Sequence, residues 1–176
     1  MKKFCISLFL IVIILLTVAC GFESGEREES EYLRIHIRAN SNGDEDQRIK
    51  YAVRDAVINY LTPIVADCRS KSEATEKINS KEKDIKYIAD EILLKGGFKY
   101  SSTVAVLNEE FPTRIYEEVT LEGGYYDALI IGLGAAKGDN WWCVVYPPLC
   151  FTSGENVKYK SKILEIISEF KSRAKD

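Results

Sequence analysis

The apolar residues change their spacing along this chain, and that change limits the fold more than any single motif does. Leu33, Ile35, Ile37 and Ala39 alternate with Arg34, His36 and Arg38, the two-residue period of a half-buried strand whose polar face, His36 included, reads as solvated. Asn40-Ser41-Asn42-Gly43 is turn chemistry. The spacing then becomes helical, through Ile49, Ala52, Val53, Ala56, Val57, Tyr60, Leu61 and Ile64. Asp44 can cap this helix, with Gln47 three residues on. Asp44, Glu45 and Asp46 all lie in its first turn, where the helix dipole favours negative charge. Pro63 marks its end. A more polar helical stretch runs from Ser72 to Leu94 with Ala74, Ile78, Ile85, Ile88 and Ile92 as its stripe. It is weakly apolar from Asn79 to Asp84, where it can break in two, and Gly96-Gly97 stops it.

Beyond that point the pattern turns to strands: Ser102 to Leu107, Arg114 to Leu121, Tyr125 to Leu133 and Trp141 to Tyr146. Glu122-Gly123-Gly124 reads as a short hairpin turn between the second and third of these. Tyr125 to Leu133 is apolar on both faces apart from Asp127, which predicts a central strand. Ile163, Leu164, Ile166, Ile167 and Phe170 mark a last helix near Lys158 to Arg173. The expected fold is a single α+β domain, an antiparallel sheet of about four to five strands packed against two to three helices.

Charge and the N-terminus bound the function classes. The formal net charge is −3, and loss of the first nineteen residues with Lys2 and Lys3 leaves 22 basic against 27 acidic side chains. With no basic run, nucleic acid is excluded as a partner. Met1-Lys2-Lys3 followed by the apolar run Phe4 to Val18 reads as an export signal, too short for a comfortable membrane span. It ends in Leu16-Thr17-Val18-Ala19-Cys20, which is similar to the bacterial lipoprotein cleavage box and makes Cys20 the lipidation candidate. Cutting after Ala19 by the general signal peptidase and retention as an uncleaved anchor stand as alternatives. Residues 20–31 then form an acidic flexible tether, 32–151 the folded domain and 152–176 a C-terminal helical segment.

Catalytic and metal chemistry find little support. His36 is the only histidine, so a secreted thiol hydrolase would have to pair it with Cys143. There is no HExxH, no CxxC and no carboxylate cluster at ligand spacing, so no metal and no cofactor is expected. Gly132 to Gly138 is glycine-rich like a phosphate-binding loop, yet it leads into a strand and reads as a hairpin loop. A polar set gathers at the start of the domain: Arg38, Asn40, Asp46, Gln47, Lys50, Arg54 and Asp55. Gln47, Lys50 and Arg54 share one helix side, and a solvated face with Asp46 pairing Lys50 is the plainer alternative.

The stretch Gly138 to Phe151, GDNWWCVVYPPLCF, holds both tryptophans of the chain and two of its four prolines. Adjacent strand residues point to opposite faces, so Trp141 and Trp142 cannot share one core layer. Cys143 and Cys150 can form a disulfide only if the chain reverses at Pro147-Pro148. Two buried, reduced thiols are the alternative, and Cys68 is unpaired in both cases. A lipoprotein that binds a small ligand would need a deep apolar pocket near the tryptophans.

Asn140-Trp141-Trp142-Cys143-Val144 with Pro147-Pro148-Leu149-Cys150-Phe151 resembles the signature of the stage II sporulation protein R family. The resemblance extends to Ile37-Arg38-Ala39-Asn40-Ser41, to Asp46-Gln47, Lys50 and Val53 to Val57, to Phe111-Pro112-Thr113-Arg114 with Tyr116, and to Gly124 to Leu129. It covers about Leu33 to Phe151. In the family, alternating glycines directly precede Asn-Trp-Trp, whereas here Ala135-Ala136 lengthen the loop. The resemblance implies an intercellular signal of endospore-forming Firmicutes rather than an enzyme. Such a protein is made in the forespore and exported into the space between forespore and mother cell. There it activates a membrane-embedded aspartic-type protease that processes pro-sigma-E, and no small-molecule substrate is expected. Asn140, Trp141 and Trp142 join Arg38, Asn40, Asp46, Gln47, Lys50 and Arg54 as expected partner-binding residues, because aromatic and Arg side chains are frequent interface anchors.

Overall fold

A computed structural model describes residues 30–116, 119–151 and 157–173. The 1–19 segment, Cys20 and nearly all of the acidic tether lie outside the described residues. The elements in chain order are β1 Leu33–Arg38, α1 Asp44–Val65, α2 Lys71–Ser80, α3 Glu82–Lys95, β2 Ser102–Phe111, β3 Arg114–Tyr116, β4 Val119–Leu121, β5 Gly124–Leu133, β6 Asn140–Tyr146 and α4 Val157–Arg173. A short 3-10 turn, Leu149–Phe151, follows β6. This is one α+β domain with a main sheet ordered β2-β5-β1-β6 and a separate β3-β4 pair.

The expected all-antiparallel sheet is a mixed one. β5 runs antiparallel to β2 but parallel to β1, with Ile35 opposite Leu129 and Ile37 opposite Ile131. The chain leaves β1, builds three helices on one face and returns through β2 before β5 docks beside β1. A parallel neighbour needs such a long crossover. β5 is a central strand, as its two-sided apolar run predicts. With α4, four helices are described rather than two to three.

One face of the sheet carries the main core. Leu33, Ile35 and Ile37 meet Val53, Val57, Leu61 and Val65 of α1 and Ile78, Ile85 and Leu93 of α2 and α3, all essentially inaccessible to solvent. Burying each such side chain contributes about 1.5–3 kcal/mol, which makes this layer the chief stabilising element. The polar stretch at Asn79 to Asp84 breaks at Lys81, between α2 and α3.

Three local expectations are corrected. α1 does not stop at Pro63 but continues to Val65, because Leu61 and Val65 share a buried face and the turn closes through Ala66 N–H to Thr62 O at 3.1 Å. The α1 N-cap is Gly43, without a side-chain cap, and Asp44 is already helical. Arg114 to Leu121 is two short strands paired with each other, so β4 does not form a hairpin with β5 across Glu122-Gly123-Gly124.

The second face of the sheet is a finding in itself. The alternation at β1 reads as polar and solvated, yet Arg34 is 0% exposed and His36 only 4%. Phe111, Ala128 and Ile130 form a smaller core there, with Tyr126 and Trp142 packed on it. The Arg34 guanidinium lies 4.2 Å from the Phe111 ring centroid and 4.8 Å from that of Tyr126, and it donates to the Tyr116 hydroxyl at 2.9 Å. An arginine sandwiched by aromatic rings in this way replaces water with cation-π contact.

Candidate partner-binding site

The end of β1, the turn into α1 and the loop before β6 are bound into one unit. Asp46, buried in the first turn of α1, accepts from Asn40 Nδ2 at 2.8 Å, from Ser41 Oγ at 2.6 Å and from the Tyr100 hydroxyl. Burial acts to raise the Asp46 carboxyl, but the donors outweigh it and hold the group below the usual carboxylate range. Burial together with the bond to Asp46 raises Tyr100. Asp46 therefore does not pair with Lys50, against the simple ion-pair expectation.

Asn40 uses its other side-chain atom on the loop, where Oδ1 accepts from Ala135 N–H at 2.8 Å. Gly138 N–H donates to Ala39 O at 2.8 Å and Asp139 N–H to Asn42 Oδ1 at 2.6 Å. From the helix side, Lys50 Nζ donates to Asp139 O at 3.0 Å and to Gln47 Oε1 at 2.7 Å, while Gln47 Nε2 donates to Ser41 O at 2.8 Å. Lys50 is 1% exposed. Burial pushes its ammonium down, against the nearby Asp139 carboxylate. Asp46 and Lys50 thus act as clamps inside the unit, and what they present to a partner is the loop they hold.

The accessible candidates are the others. Arg54 sits 4.8 Å from the Tyr51 ring and 5.6 Å from the Trp141 ring, and its Nε donates to Asp55 at 2.7 Å. Trp141 and Trp142 are both half-buried on opposite faces. Trp141 packs on the main core and Trp142 on the small one, 5.2 Å from His36 and beneath Arg114 at 4.2 Å. Arg38 bonds Glu109, and Asn140 stands exposed opposite it in the register. All nine expected contact residues therefore gather at one end of the sheet. Tyr100, Asn42, Asp139, Tyr51 and Arg114 belong to the same place, although the sequence singles out none of them as a site. Only Arg114, inside the Phe111-Pro112-Thr113-Arg114 motif, carried a signal.

The geometry also bears on the alternatives. His36 opposes Trp142 in the β1–β6 register while Cys143 opposes Ile35, which puts the histidine and the cysteine on opposite faces. Cys143 is joined to Cys150 across the Pro147-Pro148 reversal, with Cα atoms 6.3 Å apart, and Cys68 is free and buried. Burial, with smaller contributions from Arg38 and Arg34, pushes the His36 imidazole down to about 4. It is therefore neutral at pH 7, and its Nδ1–H donates to Glu109 at 3.1 Å. Concavities of about 560 and 240 Å³ flank Tyr146 at the far end of β6, and neither is lined by a tryptophan. Among the described residues, no group of three His, Cys, Asp or Glu side chains could hold a metal ion.

The family model for stage II sporulation protein R matches residues 29–156. The chain belongs to the stage II sporulation protein R family. It is 39% identical over 171 residues to the stage II sporulation protein R of Bacillus subtilis (strain 168), covering 90% of this chain and 76% of that relative. No solved structure matches it. The likeness supports a sporulation role, and the matched span takes in the whole clamp and the Trp-Trp strand.

Proposed function

We propose that this protein is an exported sporulation signal that passes from the forespore into the space between forespore and mother cell. There it activates a membrane-embedded aspartic-type protease, which processes pro-sigma-E. The observation that carries this reading is the convergence of separate family motifs, Arg38 to Ser41, Asp46 to Arg54 and Asn140 to Trp142, on one rigid end of the sheet. Rigid presentation of aromatic and arginine side chains suits a protein contact, since little side-chain freedom is lost on binding. The apolar N-terminal run and the Leu16 to Cys20 box favour export, with Cys20 as the lipid anchor.

The thiol-hydrolase reading lacks its nucleophile, because Cys143 is spent in the disulfide and faces away from His36. The test is co-expression of this chain with the protease and pro-sigma-E in a non-sporulating host. Processed sigma factor is expected only when the chain is present. Processing that proceeds equally without it, or fails with it, rejects the proposal.

A further inference from the structure

The two edges of the main sheet are treated differently. β2 is plugged along its outer side: Asp90 accepts from Ser102 N–H at 2.6 Å and Glu82 from Val106 N–H at 3.1 Å, both reaching from α3. At the other edge, only the second half of β6 is closed. Val144 N–H donates to Cys150 Sγ at 3.3 Å, so the disulfide and the 3-10 turn occupy the strand from Val144 onward. That bond also fixes which residues look outward. Antiparallel pairing alternates, so if Val144 turns its backbone groups away from β1, Trp142 and Asn140 do the same. Among the described residues, nothing bonds the outward backbone groups of Asn140 and Trp142.

An open edge is a template for another strand, and folded proteins usually blunt it. Among the described residues, this half-edge carries no proline, no bulge and no covering element. It is flanked instead by cations on each face: Arg114 over Trp142 and Arg54 over Trp141. Arg114 is exposed and forms no ion pair with a described carboxylate, and Arg54 has only its exposed neighbour Asp55.

We propose that the Asn140–Trp142 edge of β6 accepts an extended segment of a partner protein as an added strand, one with two adjacent acidic side chains facing Arg114 and Arg54. The alternation of a strand supplies the geometry, because neighbouring residues of the incoming segment fall on opposite faces, one beside each arginine. This deepens the signalling reading above and rests on it for the identity of the partner as a protein.

Because Trp141 and Trp142 are the only tryptophans in the chain, intrinsic fluorescence reports on this edge alone. The probe is an amidated octapeptide of Thr and Val with Asp-Glu at its centre, compared with the same peptide carrying Lys-Lys. The acidic peptide should shift tryptophan emission saturably and slow amide exchange at Asn140 and Trp142. The Lys-Lys peptide should bind at least about tenfold more weakly. Asn140→Pro removes one outward N–H at an edge position that tolerates proline and should abolish the shift. Arg114→Glu, an exposed change that keeps the backbone, should erase the preference that the wild-type chain shows between the peptides, because one cation and one anion then flank the edge, even if Asn140→Pro fails to fold. No saturable shift up to millimolar peptide, or equal binding of the two peptides, overturns the proposal. So does a concentration-dependent dimer lost in Asn140→Pro, which would make a second copy the occupant. In the processing assay, a folded Asn140→Pro with wild-type output overturns strand addition while leaving signalling intact. No output from the wild-type chain would instead sink the signalling reading, and the peptide titration would still decide the edge.

Discussion

Two single side chains set measurable limits on this site. Lys50 is buried with a backbone carbonyl and a glutamine oxygen as its acceptors. Lys50→Glu would place a carboxylate against those same oxygens, so a loss of about 3 kcal/mol or more is expected in urea unfolding, whereas Lys50→Met should lose about 1–2 kcal/mol. Equal, near-zero effects would mean that Lys50 is not the clamp described. His36 gives a pH signature. Its folded-state value of about 4 lies below the ordinary histidine value of 6.5, so the unfolded chain takes up the proton first as pH falls. Stability is fully present above the unfolded value and declines from about pH 6.5 to pH 4, by about 2 kcal/mol at pH 5. The charged groups facing it are Glu109, Arg38 and Arg34, while Asp46, Asp90 and Asp127, all held low, lose their contributions only at lower pH. His36→Gln should flatten the pH 5 to 7 segment of a urea-stability profile. An unchanged slope would assign it elsewhere.

At the scale of elements, what the sequence revealed and what it hid divide along a physical line. Local spacing located the helices, the break at Lys81 and the central β5, because period and turn residues are properties of short segments. The mixed sheet was hidden, since which strand β1 adopts as its parallel neighbour depends on a crossover of three helices rather than on β1 itself. The burial of Arg34 and His36 was hidden for a related reason: the cover comes from Phe111, Tyr116 and Tyr126, far away in sequence. The residues that gather at this end were legible as motifs, but not the division of labour among them, because only geometry distinguishes a buried clamp such as Lys50 from an accessible Arg54. The loop from Gly134 to Asp139 makes this testable. A Cβ at Gly138 would collide with the backbone carbonyl of Ser41, which neither side can yield without breaking the Gly138-to-Ala39 bond. Gly138→Ala is therefore expected to cost about 2 kcal/mol or more. Ala136, in contrast, is a non-glycine residue at φ 52. That is the left-handed region where glycine is preferred, so Ala136→Gly should stabilise by up to about 1 kcal/mol in a thermal melt. A destabilised Ala136→Gly would show that its methyl packing against the loop outweighs the backbone term.

For the molecule as a whole, the separation of a stabilising face from a presenting end decides which mutation tests the signal. The helices and the main core lie on one face, the Arg34 cage and the β3–β4 pair cover the other, and the clamp holds the loop and the first half of β6 at one end. A partner that grips this end meets Arg54, Trp141, Asn140 and Trp142 before it meets any core residue. Arg54 is the cleaner probe, since its side chain is about 30% exposed and its ion pair is with Asp55, itself 60% exposed. Pairs of that kind contribute little to folding, so Arg54→Glu should leave unfolding free energy within about 0.5 kcal/mol of wild type. Replacing a cation beside Trp141 with an anion would repel an acidic partner segment, and central arginines are often the residues on which an interface depends. The expected result is a wild-type melting curve together with loss of pro-sigma-E processing in the co-expression assay. A wild-type melt with wild-type processing would remove Arg54 from the contact and shift the search to the Arg114 side of β6. A lowered melt would mean instead that the stack on Tyr51 and Trp141 supports the fold, and then Arg54→Lys, which keeps the charge and loses the planar stack, separates the two roles.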